Sequence, residues 1–147
     1  MRIGRAGAVA LVAVCVLAGC AAGPGAEARL ADAVVADVPA AEEVETVIHR
    51  DVFEQWIRVD VSASSVTEEN AGDIVMGAFA AAWRNAAFAP DSISVKVTPV
   101  ALSEAFDPDF LLLDGVGDGE DVRCSRRMCS AEADVLEELF GAQGETP

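Results

Sequence analysis

The sequence predicts an α+β fold, a two-layer sandwich in which a small antiparallel or mixed sheet carries its helices on one face. Three patterns predict it. Ile57, Val59 and Val61 alternate with Trp56, Arg58, Asp60 and Ser62, and Ile93, Val95 and Val97 alternate with Ser94, Lys96 and Thr98. A period of two puts each set on its own side, so both stretches are strands with one apolar and one polar face. Between them, Ala71, Ile74, Val75, Ala78, Phe79, Ala82 and Ala86 recur at helical spacing and form one apolar stripe. The predicted order is α-β-β-α-β, followed by a C-terminal extension that ends in a helix.

Each element has a local cause. Leu30, Val34, Val35 and Val38 share one side of a first helix, which Pro39 ends. Val44 to Arg50 mixes β-branched residues into a first strand, and Phe53 to Ser62 forms a second, joined by a short hairpin link around Arg50-Asp51-Val52. Ser65-Val66-Thr67-Glu68 supplies a capping box for the long helix, with Thr67 as an alternative cap. Pro90 restricts Ala89 and stops that helix; the third strand runs from Ser92 to Thr98. Ser130 is the expected cap of a final helix through Val135, Leu136, Leu139 and Phe140, which Gly141 ends.

The first residues read as an address rather than as part of this fold. Arg2 and Arg5 precede thirteen uncharged, mostly apolar residues, Ala6 to Ala18. That run is shorter than the roughly 20 residues a spanning helix needs, and Gly23, Pro24 and Gly25 follow it. Leu17-Ala18-Gly19-Cys20 resembles the lipobox of bacterial lipoproteins. The resemblance implies a type II signal peptide over residues 1–19, cleavage before Cys20 and acylation of that cysteine; an ordinary secretory signal with a chance cysteine is the alternative. It also implies a cell-membrane location outside the cytoplasm, with the bilayer as a partner through the acylated Cys20. Residues 20–27 then form a flexible tether. Residues 28–141 form one domain, with a core over 28–100 and the extension over 101–141, and residues 142–147 a frayed tail. The element order over residues 28 to 100 resembles the BON domain of exported bacterial proteins. That family's turn glycines have no counterpart near Val52 or Val59, so its phospholipid-binding role is not carried over.

Composition narrows the function. The chain of 147 residues carries a net charge of −15, and losing residues 1–19 removes two arginines and no acid, deepening it to −17. Phosphate backbones are repelled by such a surface, so nucleic acid is not an expected partner. Of four cysteines, Cys15 leaves with the signal and Cys20 takes the lipid, which isolates Cys124 and Cys129. Outside the cytoplasm a disulfide is the expected use of that pair, with free thiols and redox or metal work as the alternatives.

No catalytic constellation stands out. His49, the single histidine, lies on a predicted strand with no identifiable nucleophile, and no G-x-S-x-G elbow is present. The run Asp114 to Asp121 is acidic and glycine-rich, yet Val116 and Ser125 fall where an EF-hand needs an oxygen ligand and a glutamate. No metal, cofactor or catalytic residue is therefore assigned. Outward-facing Trp56 beside Arg58 is the candidate binding patch. The expected function is a non-enzymatic, membrane-anchored envelope module that binds an envelope protein or wall component; the alternative is a carrier of a small lipophilic ligand in a groove between helices and sheet.

Overall fold

A computed structural model describes residues 25–67, 69–100, 121–125 and 128–144. The expected signal segment, Cys20 and Asp114 to Glu120 lie outside the described residues. Eight elements follow in order: α1 (Ala26–Asp37), β1 (Ala41–Arg50), β2 (Gln55–Ala63), α2 (Ala71–Asn85), β3 (Ser92–Pro99), β4 (Val122–Ser125), β5 (Met128–Glu132) and α3 (Ala133–Phe140). They build the expected α+β sandwich: one open five-stranded mixed sheet, in spatial order β1-β2-β3-β5-β4, with the helices packed on one face.

Strand direction follows from the connections. β1 and β2 are antiparallel and share a tight hairpin, whereas β2 and β3 are parallel. Parallel neighbours need a crossover, and α2 is that crossover. β5 pairs antiparallel with β3, and β4 closes a second hairpin on β5. The register aligns every apolar side on the helix layer. Ile48, Ile57, Ile93, Ala131 and Val122 form one row across all five strands, and Thr46, Val59, Val95, Cys129 and Cys124 form the next. Ile57, Val59, Ile93, Val95 and Cys129 are completely buried.

The helix layer covers these rows. α2 buries Ala71, Ile74, Val75, Ala78, Phe79, Ala81, Ala82 and Trp83, more than one stripe, because it has the sheet below and α1 and α3 on its flanks. Its small residues set that spacing. A Cβ added at Gly77 would stand 3.3 Å from Val38 Cγ2 at the end of α1. α1 is fixed to β1 at its other end: Thr46 Oγ1 donates to the Glu27 carbonyl at 2.7 Å, and the Ile48 N–H donates to Glu27 Oε1 at 3.0 Å. Trp83 is buried and its indole N–H reaches the Gly141 carbonyl at 2.9 Å. The Gln143 side chain donates to the carbonyls of Ala86 and Phe88, so the chain beyond α3 lies along the end of α2.

Two local expectations are corrected. Ser130 does not cap a helix; it sits in β5, because Val122–Ser125 and Met128–Glu132 each alternate inward and outward like half-buried strands. The extension after Ala101 thus contributes two strands to the main sheet. The long helix starts at Ala71 rather than near Ser65. Thr67 and Asn70 bond reciprocally, Thr67 N–H to Asn70 Oδ1 at 2.8 Å and Asn70 N–H to Thr67 Oγ1 at 3.3 Å, and this polar turn takes the place of a capping box built on Ser65. Asp91 accounts for the junction before β3. Its carboxylate accepts the Gln55 N–H at 2.8 Å, its own N–H donates to the Gln55 carbonyl at 2.7 Å, and its carbonyl accepts the Ala133 N–H at 2.9 Å. One residue therefore joins the starts of β2, β3 and α3.

Cys124 and Cys129 form the expected disulfide, across a register pair of β4 and β5 with Cα atoms 4.0 Å apart. Such close Cα atoms mark a pair that exchanges no backbone hydrogen bonds. Cys129 packs in the core, so the bond fastens the last hairpin to the buried face. A Cys124→Ser/Cys129→Ser variant should lose about 2 kcal/mol of stability, the closure entropy of so short a loop, in urea titrations. Gly77→Val should lose about 1–3 kcal/mol by driving α1 off α2, while Gly77→Ala stays near neutral as helix propensity offsets the tighter contact.

Candidate functional site

The sheet face away from the helices is polar, and it is where the candidate residues collect. Three rows cross it in register. The first runs His49, Trp56, Ser92, Glu132; the second Val47, Arg58, Ser94, Ser130, Arg123; the third Glu45, Asp60, Lys96, Met128, Ser125. Neighbouring strands lie about 4.8 Å apart, so Arg58 and Arg123 stand roughly 14 Å from each other with two serines between them.

Trp56 and Arg58 share this face, and each already has a partner. Trp56 is half-buried because His49 on β1 stacks on it, ring centroids 4.9 Å apart and planes 16° from parallel. Arg58 is exposed, and its Nε donates to Asp60 Oδ2 at 3.3 Å. The other Asp60 oxygen, Oδ1, is shielded and has no hydrogen-bond partner. Lys96 stands opposite Asp60 in register on β3. Ser94 and Ser130 hydroxyls hydrogen-bond to each other at 2.8 Å, leaving each with capacity for one more partner. A guanidinium thus flanks a hydroxyl pair on either side.

Beside this row, β4 and β5 border an open hollow of about 470 Å³ that includes Arg123, Ser130, Met128 and Glu132. Its size suits part of a polar ligand or a protruding side chain of a partner. Arg58, Lys96 and Arg123 are three of the eight basic residues after residue 19, and they share this face with Glu45, Asp60 and Glu132, while Asp121 and Asp134 also border the hollow. Arg123, Ser94 and Ser130 are absent from the sequence-derived patch. Their outward alternation was available in Val122-Arg123-Cys124-Ser125, but only strand pairing brings them beside Arg58.

His49 meets no nucleophile. Its Nε2 lies 3.1 Å from Asp51 Oδ2 at the hairpin. Asp51 organises that hairpin: Oδ1 accepts the backbone N–H of Phe53 and of Glu54, each at 2.7 Å. Those two N–H groups, with His49 adding to them, hold the Asp51 carboxyl below the usual carboxylate value. No group of acids, histidines and cysteines among the described residues could hold a metal ion. No described helix is long and apolar enough to cross a membrane.

No protein-family model matches the chain, and no curated protein or solved structure matches it either.

The Asp51 contribution has a defined sign. A carboxyl whose folded pKa is depressed stabilises the fold above its unfolded value, about 3.9, and that contribution is lost as pH falls through the folded pKa. Carboxyl NMR titration should place Asp51 below the ordinary aspartate value. Asp51→Ala should raise amide exchange at Phe53 and Glu54 selectively while leaving exchange in α2 unchanged.

Proposed function

We propose that this protein is an envelope lipoprotein, held on the outer side of the cell membrane by acylated Cys20, and that its domain works by binding rather than catalysis. The open sheet face is the working surface. The observation that carries this reading is the Arg58–Ser94–Ser130–Arg123 row, which presents two guanidinium groups and two hydroxyls on a rigid sheet, with Trp56 alongside. Guanidinium and hydroxyl groups fixed on strands match acceptor-rich partners such as carboxylate-bearing wall polymers or an acidic strip of an envelope protein. The anchor rests on the resemblance of Leu17-Ala18-Gly19-Cys20 to a lipobox.

Carriage of a small lipophilic ligand between helices and sheet is the other reading. It is less favoured because the facing side chains, Ile57, Val59, Ile93, Val95 and Phe79, are completely buried against one another's layer. The hollow between α1, β1 and the end of α2, about 230 Å³, is also below the usual range of ligand sites, which starts near 300 Å³.

Photo-crosslinking in cells tests the binding face. A crosslinker at Ser94 should give discrete adducts that fall at least several-fold in an Arg58→Ala/Arg123→Ala background, while one at Glu138 on the helix layer should give few. Equal adducts from both positions, or adducts indifferent to the two arginines, would remove the sheet face from consideration. Separately, Cys20→Ser should shift the protein out of the membrane fraction and abolish labelling by a fatty-acid analogue. Retention of the variant would discard the anchor.

A further inference from the structure

We infer that the β1–β2 hairpin tip, Val52-Phe53, is a second membrane contact that stands the domain upright on the bilayer. This deepens the anchored-lipoprotein reading and rests on it. Val52 is 92% exposed and Phe53 94%, by far the most exposed large apolar side chains described. Their exposure is enforced. Asp51 Oδ1 ties down the N–H groups of Phe53 and Glu54, and the Asp51 N–H donates to the Glu54 carbonyl at 3.0 Å, so the two residues project from a closed turn. A rigid tip with two apolar side chains costs little ordering entropy on contact.

The place where the tether leaves the domain supplies the occupant. Glu27, in the first turn of α1, bonds to Thr46 and Ile48 near the end of β1, so α1 starts at the same end of the sheet as the hairpin. From Ile48 the strand continues through Arg50 to the tip, which projects roughly 10 Å beyond the start of α1 at strand rise. Five residue steps separate Cys20 from Gly25, and they can span at most about 18 Å. An acyl chain at Cys20 therefore holds this end of the domain next to the headgroups, with the tip foremost. The opposite end of β3, at Val100, lies a strand length further away.

Charge sets the depth. Arg50, at the end of β1 next to the tip, lies over the Phe88 ring, its guanidinium carbon 4.6 Å from the centroid, and Arg29 stands in the first turn of α1 behind it. Asp51, Glu54 and Asp91 lie at the same end and keep their carboxylates in water. The contact is thus confined to the headgroup boundary, where Phe suits the interface. It would be weak alone, but the tether converts it into an intramolecular event at high effective concentration.

The test uses the acylated full chain in vesicles of phosphatidylethanolamine and phosphatidylglycerol. A polarity-sensitive fluorophore is placed at Phe53→Cys or, as the far-end control, at Val100→Cys. The fluorophore at 53 should shift to the blue and be quenched several-fold by lipids spin-labelled near the headgroup; the one at 100 should do neither. Equal, unquenched emission at both positions from protein that still floats with the vesicles would overturn the tip contact and leave the anchor standing. If Cys20→Ser floats as well as the wild type, the anchor itself fails, and this inference falls with it.

Discussion

The parallel pairing of β2 with β3 is the constraint on which the rest of the molecule depends. Antiparallel neighbours could have been joined by two residues; parallel ones require the chain to travel back across the sheet. That return is α2, and because it must lie on the sheet, all its sides but one meet protein. Its alanines and Gly77 then follow from geometry, since larger residues would hold α1 and α3 away from the layer. A wide cover of small residues lets three short helices hide the apolar side of five strands.

Among the described residues every helix lies on one side of the sheet, and the other side carries polar side chains. Such a face displays those side chains in a fixed lattice. Strand spacing, not side-chain flexibility, sets the separations between Arg58, Ser94, Ser130 and Arg123. Several polar groups on that lattice already satisfy one another, as in the Arg58–Asp60 and Ser94–Ser130 pairs. Any partner docking on this face would have to exchange these existing contacts for new ones, so its acceptors would have to match the spacing.

The fold class was legible because half-buried strands write their two faces directly into the chain. Ile57-Val59-Val61 and Ile93-Val95-Val97 needed nothing further, and the stripe on α2 was equally plain. Strand direction was not legible, since alternation is identical in parallel and antiparallel neighbours. β4 and β5 were missed because strands of four and five residues, with two arginines between them, look like a loop closed by cysteines, and Ser130 then resembles a cap. The outward patch was half legible for a related reason. Trp56 and Arg58 share a strand and can be read together, whereas Ser94, Ser130 and Arg123 come from three other strands and meet Arg58 only through register. Phe53 was counted as the start of β2, although it stands outside the sheet on the turn that Asp51 closes.

Among the described residues β1 forms one margin of the sheet, with the Glu27 carboxylate taking its outer Ile48 N–H and no strand paired beyond it. Such a margin is a template for adding a further strand, and the hazard grows wherever copies are confined to a plane and meet repeatedly. Glu42, Glu43 and Glu45 are exposed along this strand. Two copies brought margin to margin would set these carboxylates against their own counterparts, a repulsion that strengthens as the surface becomes more crowded. The glutamates of β1 therefore oppose edge-to-edge pairing between two copies of the chain, so that this margin repels its own counterpart.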